Sequence, residues 1–321
     1  PDKDKADSFA QLNNVKSYTH WERVLSDDEI DALVIATPPA PRFQLALEAI
    51  NKGKHLLLEK PVALNSIEIS KLQKAAIYNK VIVGVDFEYR AVPHFMQAKR
   101  LLEKNDIGEI WFIKFDWLMS SRSNKSREWN WYSDDDQGGG VIGALGTHAI
   151  DILHWLCGPT TTVSSLTSTS IKDRPYLPNG INKRVTSEDV CIANLELNLN
   201  DTNIPAQIAL SAVSINGRGC WIEIYGSKGK LLLGSDNQKD YVHGFGLWIS
   251  KDNSKPISIN PDQDLIFNKT WEDGRIAPVL RIYNYWSESI SLNSPMIPGL
   301  HEAYNSQVVC DKLKKKELCI T

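Results

Sequence analysis

The chain has 321 residues and a mass of 36.1 kDa, a length that fits two domains. Its 42% hydrophobic and 23% charged residues are ordinary for a globular protein and exclude a disordered, collagen-like or coiled-coil chain. The formal net charge of −3 disfavours nucleic acid as a partner. The one cationic run, residues 312–316, is expected to be a solvated helix end.

Five cysteines lie singly along the chain, without a C-x-x-C pair: Cys157, Cys191, Cys220, Cys310 and Cys319. The first three lie in apolar runs, where a buried free thiol is expected. An odd number without a disulfide framework favours a reducing compartment, so we expect a cytoplasmic protein. The apolar runs are shorter than the ~20 residues of a membrane helix and no signal peptide is visible, so no membrane partner is expected.

Strands and helices alternate in the first third of the chain. Residues 32–36 form a continuous apolar run, which is typical of a buried parallel strand. His55–Leu58 and residues 81–85 predict the next two strands, and Asn65 or Ser66 can cap the helix between them. Short links between these elements predict right-handed crossovers and a parallel sheet of the Rossmann type.

The glycine-rich turn that holds a pyrophosphate is absent, because no G-x-G-x-x-G occurs in the sequence. Ahead of the first strand, residues 2–18 and Trp21–Leu25 predict a helix, a short strand and a helical turn, and the chain begins with Pro1 rather than Met. We therefore expect residues 1–86 to be a partial dinucleotide-binding domain that lacks the first βαβ unit of roughly 30 residues.

The pattern changes from about Phe87 onward. Pro93–Glu103 and residues 140–156 predict helices, and residues 109–118 form an alternating, aromatic-rich strand. Strand-like runs without intervening helices follow at residues 162–167, 190–197, 208–215, 221–225 and 231–233, and two closing helices follow at residues 280–292 and 301–315. Gly226-Ser227-Lys228-Gly229 predicts a hairpin turn between the strands at residues 221–225 and 231–233. We expect residues 87–321 to be an α+β domain with an open, mostly antiparallel sheet.

Lys60 is the first candidate for chemistry. It lies in Glu59-Lys60-Pro61, directly after the second predicted strand. Ligands of an open parallel sheet bind beyond the carboxyl ends of its strands. Lys60 is therefore a candidate acid, base or electrostatic clamp, and a surface lysine at a strand end is the alternative.

His148 is the second candidate. It follows Gly138-Gly139-Gly140, whose backbone can pass close to another body, and it shares a helix face with Ala144 and Asp151. The imidazole is suited to proton exchange near neutral pH, and a satisfied core histidine is the alternative.

Trp129 and Trp131 precede the three glycines. Their rings are suited equally to stacking on a sugar and to packing in the core. The histidines show no ligand spacing, so no metal site is predicted.

Taken together, these residues resemble the Gfo/Idh/MocA oxidoreductases. The motifs that carry the resemblance are Ala36-Thr37-Pro38-Pro39, Leu58-Glu59-Lys60-Pro61, the glycine run with Gly146-Thr147-His148-Ala149-Ile150-Asp151, and Tyr225-Gly226-Ser227-Lys228-Gly229. The resemblance implies a Rossmann domain, a second domain for substrate and oligomer contacts, and NAD or NADP as cofactor. The implied substrate is a secondary alcohol or ketone of a sugar, cyclitol or related small molecule.

The resemblance also implies roles for single residues. Lys60 would be the catalytic lysine and His148 the second acid or base. The residues bordering the cofactor would be Thr37, Pro38, Pro39, Arg42, Glu59 and Lys60. The residues contacting the substrate would be Lys60, Trp129, Trp131, His148 and Asp151. The open sheet would form a homodimer or homotetramer.

Two positions depart from the family pattern. Ala144 stands where many members have Asp, and Arg42 stands where the family has His. Together with the absent glycine-rich turn, these departures leave two alternatives open. One is an NAD-assisted, non-redox glycoside cleavage or elimination, and the other is a catalytically silent ligand-binding homologue.

Overall fold

A computed structural model describes residues 2–177, 180–237, 240, 242–252 and 254–315. Lys316 of the cationic run, Cys319 and Pro1 lie outside the described residues. The four described cysteines are free and buried, which confirms the expectation for the three in apolar runs: Cys157, Cys191, Cys220 and Cys310.

The first part of the chain forms a three-stranded parallel sheet in the order β1-β2-β3. Its elements are α1 (Lys3–Asn13), α2 (Trp21–Leu25), β1 (Ala32–Ile35), α3 (Pro39–Asn51), β2 (His55–Leu58), α4 (Ser66–Asn79) and β3 (Val83–Val85). The side chain of Asn65 caps α4 by accepting from the amide of Glu68, as predicted. The strand expected within residues 2–18 does not form. The prediction that the first strand is buried was wrong in part, since only Ile35 of β1 is buried and Val34 is 56% exposed.

The second part is built on an eight-stranded sheet. Its elements are α5 (Pro93–Glu103), β4 (Ile110–Leu118), α6 (Thr147–Cys157), β5 (Thr160–Ser168), β6 (Asp173–Tyr176), β7 (Ile181–Arg184), β8 (Val190–Leu199), β9 (Thr202–Ser211), β10 (Gly219–Gly226), β11 (Gly229–Ser235), β12 (Gly246–Lys251), β13 (Ile257–Ser258), α7 (Ile276–Ser291) and α8 (Leu300–Lys315). The sheet order is β13-β12-β11-β10-β4-β9-β8-β5, and within this sheet, as far as the structure describes it, only the β4–β9 pair is parallel. This confirms the mostly antiparallel sheet.

Two hairpins show where local sequence sets the register. The predicted turn at Ser227-Lys228 pairs Gly226 with Gly229, so β10 and β11 form a two-residue hairpin. The turn at Asn200-Asp201 was not predicted. Both residues have positive φ, the conformation of a tight hairpin, and β9 therefore begins at Thr202 rather than at residue 208.

One face of the large sheet is covered by α5, α6 and α8. The side chains of the opposite face, called the open face below, include two stacked aromatic pairs. Phe112 stacks on Tyr225 with ring centroids 5.8 Å apart, and Trp221 stacks on Trp248 at 5.9 Å. The helical stretch over residues 135–157 is long and apolar enough to cross a membrane, but 78% of its apolar window is buried within the protein.

The C-terminal segment joins the two sheets. The amide of Val85 donates to the carbonyl of Pro298 at 3.0 Å, and Gly84 forms an antiparallel bridge with Gly299. Beyond this contact, α8 packs against α4 on one side and against α6 and β5 on the other. The last described helix therefore holds the carboxyl ends of the small sheet next to α6.

A buried salt bridge makes a second connection at the same junction. Arg90 lies in a short 3₁₀ turn after β3, and its Nε and Nη2 donate to the two carboxylate oxygens of Asp151 on α6 at 2.8 and 2.7 Å. The two side chains are 10% and 2% exposed. Such a bidentate pair fixes both direction and distance between the turn and the helix.

We predict that Arg90→Met destabilises the protein by about 3–5 kcal/mol, because it leaves the Asp151 carboxylate buried without its partner. The double variant Arg90→Met/Asp151→Leu should recover most of that loss. The matched control is Arg100→Met, which removes an exposed pair with Asp262 and Asp264 and should cost less than about 1 kcal/mol. Chemical unfolding of the four proteins measures this, and equal losses for the two single variants would contradict the prediction.

Candidate active site

The carboxyl ends of the three parallel strands meet at one edge of the small sheet. The amide of Glu59 donates to the carbonyl of Ile35, and the amide of Asp86 donates to the carbonyl of Leu58, at 3.1 and 2.9 Å. These bonds continue the ladder by one residue beyond each strand. Polar side chains that follow β2 and β3 are therefore brought together, at the edge where parallel sheets bind ligands.

Lys60 reaches from this edge to the second part of the chain. Its Nζ donates to the carbonyl of Ala144 at 2.9 Å. An ammonium group has three N–H donors. Since this is the one hydrogen bond of Lys60 among the described residues, two donors remain for a ligand.

The helix that receives Lys60 is irregular at its start. Residues Ile142–Gly146 form a π-helical turn, and the regular α-helix begins at Thr147. The predicted helix over residues 140–156 is therefore correct in extent but not in regularity at its first turns. A side chain on Gly143 would lie 2.7 Å from the carbonyl oxygen of Gly138, so the glycine permits this backbone to pass close to the start of the helix.

His148 lies one turn beyond Ala144 and is 3% exposed. Its ring packs edge-on against the rings of Phe87 and Tyr89, with centroids 5.9 and 4.9 Å away. Its Nε2 lies 3.5 Å from Oε2 of Glu88, and its Nδ1 has no hydrogen-bond partner among the described residues. Burial, with a smaller contribution from the Lys60 cation, lowers the pKa of His148 well below 6.5, so the imidazole is neutral at pH 7.

Two carboxyl groups complete the cluster, and the sequence reasoning missed both. Burial, and then the charge of Glu59, raises the pKa of Asp86 to about 7. Burial, and then the charge of Asp86, raises the pKa of Glu88 to about 8, although Lys60 opposes both shifts. The signal that could have found them is an Asp-Phe-Glu run directly after the third predicted strand.

Arg42 holds the loops that carry Lys60. It is 3% exposed, and its terminal nitrogens donate to the backbone carbonyls of Thr37, Pro61 and Glu59, the last at 2.6 Å. Burial lowers the pKa of its guanidinium to about 10. Both terminal nitrogens are thus occupied by the chain itself, and the geometry favours loop positioning over the predicted contact with the cofactor.

Three residues that were predicted to contact a substrate already have structural partners. Both carboxylate oxygens of Asp151 are held by Arg90. Trp129 is 7% exposed, and its Nε1 donates to the carbonyl of Arg184. Trp131 makes an edge contact with Tyr132, with ring centroids 6.1 Å apart. Their substrate roles remain predictions, while Lys60 and His148 lie in one cluster.

Two buried side-chain oxygens at the site indicate that it can bind a polar ligand. Oγ1 of Thr37, after β1, and Oδ1 of Asp86, after β3, are buried without a hydrogen-bond partner among the described residues. Unpaired buried polar atoms are costly, so these two oxygens fit a site that is completed by a polar ligand. The described residues contain no group of three or more histidine, cysteine or acidic side chains that could hold a metal ion.

Both parts of the chain match a known protein family. Residues 1–87 match the family described as "Oxidoreductase family, NAD-binding Rossmann fold", and residues 99–317 match its "C-terminal alpha/beta domain". An uncharacterised oxidoreductase of Synechocystis is 41% identical over 313 residues, which cover 97% of this chain and 84% of that protein. Levoglucosan dehydrogenase of Pseudarthrobacter phenanthrenivorans is 29% identical over 54% of this chain and 45% of its own length.

Solved structures share the fold. A levoglucosan dehydrogenase in complex with NADH and L-sorbose superposes with a TM-score of 0.86 at 19% identity, covering 98% of this chain and 85% of that one. An NAD-binding oxidoreductase from Klebsiella pneumoniae gives a TM-score of 0.85 at 20% identity, with the same coverage. From the two family matches and the 41% identical relative, the chain belongs to the Gfo/Idh/MocA oxidoreductases and carries that family's NAD-binding Rossmann domain followed by its α/β domain.

Proposed function

We propose that this NAD(P)-dependent oxidoreductase moves a hydride between its cofactor and a secondary alcohol or ketone of a sugar, cyclitol or related small molecule. The observation that carries the proposal is the position of Lys60, whose amine lies at the carboxyl edge of the small sheet and reaches the helix of His148. The sugar class is supported by relatives such as levoglucosan dehydrogenase. A cytoplasmic location remains a prediction from the free cysteines.

The residues at the strand ends fit the nicotinamide part of the cofactor. We assign Thr37, Pro38, Pro39, Glu59 and Lys60 to this border, and the unpaired Oγ1 of Thr37 supports the assignment. When bound, NAD(P) accepts or supplies the hydride. Arg42 serves this border indirectly, since it fixes the carbonyls of Thr37 and Glu59.

Lys60 is the group that meets the reacting oxygen in this proposal. Oxidation of an alcohol builds negative charge on its oxygen, and a fixed cation in a site with little water stabilises that charge strongly. The two N–H groups of Lys60 that the chain leaves unused are available for it. His148 is neutral and therefore able to take the hydroxyl proton, or to return it in the reverse direction.

We predict that Lys60→Met lowers kcat about a hundred-fold or more, because it removes the cation that stabilises the alkoxide. Lys71→Met, on the exposed side of α4, is the matched control and should keep full activity. Formation of NADH with a panel of sugars and cyclitols measures both. Wild-type protein that is silent on the whole panel, or a Lys60→Met variant with nearly full activity, would contradict the proposal. Product without net NADH would favour the non-redox alternative.

We also propose that the open face forms the contact between copies of this chain in a homodimer or homotetramer. Leu232 lies on this face, opposite Glu223 on β10 and Trp248 on β12, beside the stacked aromatic pairs. Aromatic side chains in the centre of a patch are typical of contacts that contribute most to association.

We predict that Leu232→Glu dissociates the oligomer, because it adds an unpaired carboxylate next to Glu223 within the proposed contact. Light scattering coupled to gel filtration gives the mass of each variant. Ile77→Glu changes a side chain that is 78% exposed on α4 and should leave the mass unchanged. A wild-type monomer, or a Leu232→Glu variant with the wild-type mass, would reject this contact.

A further inference from the structure

We infer that Glu88 is a positioning residue that sets which ring nitrogen of His148 carries the proton. Its Oε2 lies 3.5 Å from Nε2 of His148, and the two side chains are 14% and 3% exposed. The catalytic consequence of this inference rests on the function proposed above, whereas the contact itself does not.

The two ring nitrogens of His148 have different surroundings. A neutral imidazole has one N–H donor and one lone pair, and the partner of one nitrogen decides the state of the other. Nε2 faces Glu88, while Nδ1 is buried without a partner among the described residues. The separation of 3.5 Å is long for a hydrogen bond, but such contacts are often loose in the free enzyme and tighten when the site is filled.

Glu88 can take two states, and each selects a different form of the ring. An ionised Glu88 accepts from Nε2–H, which leaves a lone pair on Nδ1, so that Nδ1 is a base. A protonated Glu88 donates its O–H to Nε2, which leaves the hydrogen on Nδ1, so that Nδ1 is a donor. Both states keep the ring neutral, in agreement with the lowered pKa of His148.

The charged groups around Glu88 place this change near physiological pH. Asp86 follows β3, Glu59 and Lys60 follow β2, and His148 lies on α6. Burial and the charge of Asp86 raise the pKa of Glu88 to about 8, against the pull of Lys60. The carboxyl group is therefore protonated below about pH 8 and ionised above it.

The proton balance in alcohol oxidation follows from this arrangement. In alcohol oxidation bound NAD(P) would accept the hydride, and a substrate hydroxyl that hydrogen-bonds to Nδ1 would pass its proton to this nitrogen. Nε2 releases its own proton to the ionised Glu88, so the ring ends neutral and Glu88 ends protonated. Ketone reduction runs the same steps in reverse and starts from protonated Glu88.

Nitrogen-15 NMR of histidine-labelled, ligand-free protein tests the inference directly, because the two nitrogens of a neutral ring have distinct shifts in each tautomer. We expect the His148 signals to change tautomer with a midpoint near pH 8, as read from the pKa of Glu88. In Glu88→Gln the tautomer should be independent of pH, since an amide does not titrate. The spectrum of His148→Gln assigns the signals, and the other six histidines report on folding.

Asp86→Asn is the matched control. It removes the charge that raises the pKa of Glu88, so the tautomer change should persist with a lower midpoint. A His148 tautomer that does not change with pH in the wild type, a ring that becomes a cation instead, or a change that survives in Glu88→Gln would overturn the inference. Since no substrate is present, a failure of the proposed sugar chemistry would leave these results unaffected.

Discussion

The hydrogen bond from Lys60 to the carbonyl of Ala144 is the contact on which the candidate site depends, because it joins the edge of the small sheet to the helix of His148. The Lys60 side chain is held at its amine by this bond, and its backbone is held on both sides by Arg42. Arg42 binds the carbonyls of Glu59 and Pro61 on both sides of Lys60. A cation with so few alternative positions is preorganised for an oxygen that becomes negative.

The second constraint is electrostatic. Glu59, Lys60, Asp86, Glu88 and His148 lie together at strand ends and helix start, and most of them are shielded from water. In such surroundings two neighbouring carboxylates repel strongly, so one proton is retained between Asp86 and Glu88 near neutral pH. Several strongly shifted pKa values within one cluster are typical of acid–base sites.

Much of the fold could be predicted from the sequence because it follows from local patterns. The apolar runs predicted the strands of the small sheet, Asn65 predicted the start of a helix, and Ser227-Lys228 predicted a hairpin. The location of Lys60 at the ligand-binding edge of the sheet could be predicted, because ligands bind beyond the carboxyl ends of parallel strands and Lys60 closely follows such a strand. The partners of Arg42 and Asp151 could not, since each depends on a chain segment that only the folded structure brings near. The turn at Asn200-Asp201 was missed although its residue types favour positive φ.

A crystal structure of the protein with NADH and a bound sugar or cyclitol tests most directly whether the amine of Lys60 meets the reacting oxygen. We expect Nζ of Lys60 to lie about 3 Å from the oxygen on the carbon that faces the nicotinamide. A sugar bound away from this edge, or a Lys60 that contacts only the carbonyl of Ala144 in the complex, would contradict it.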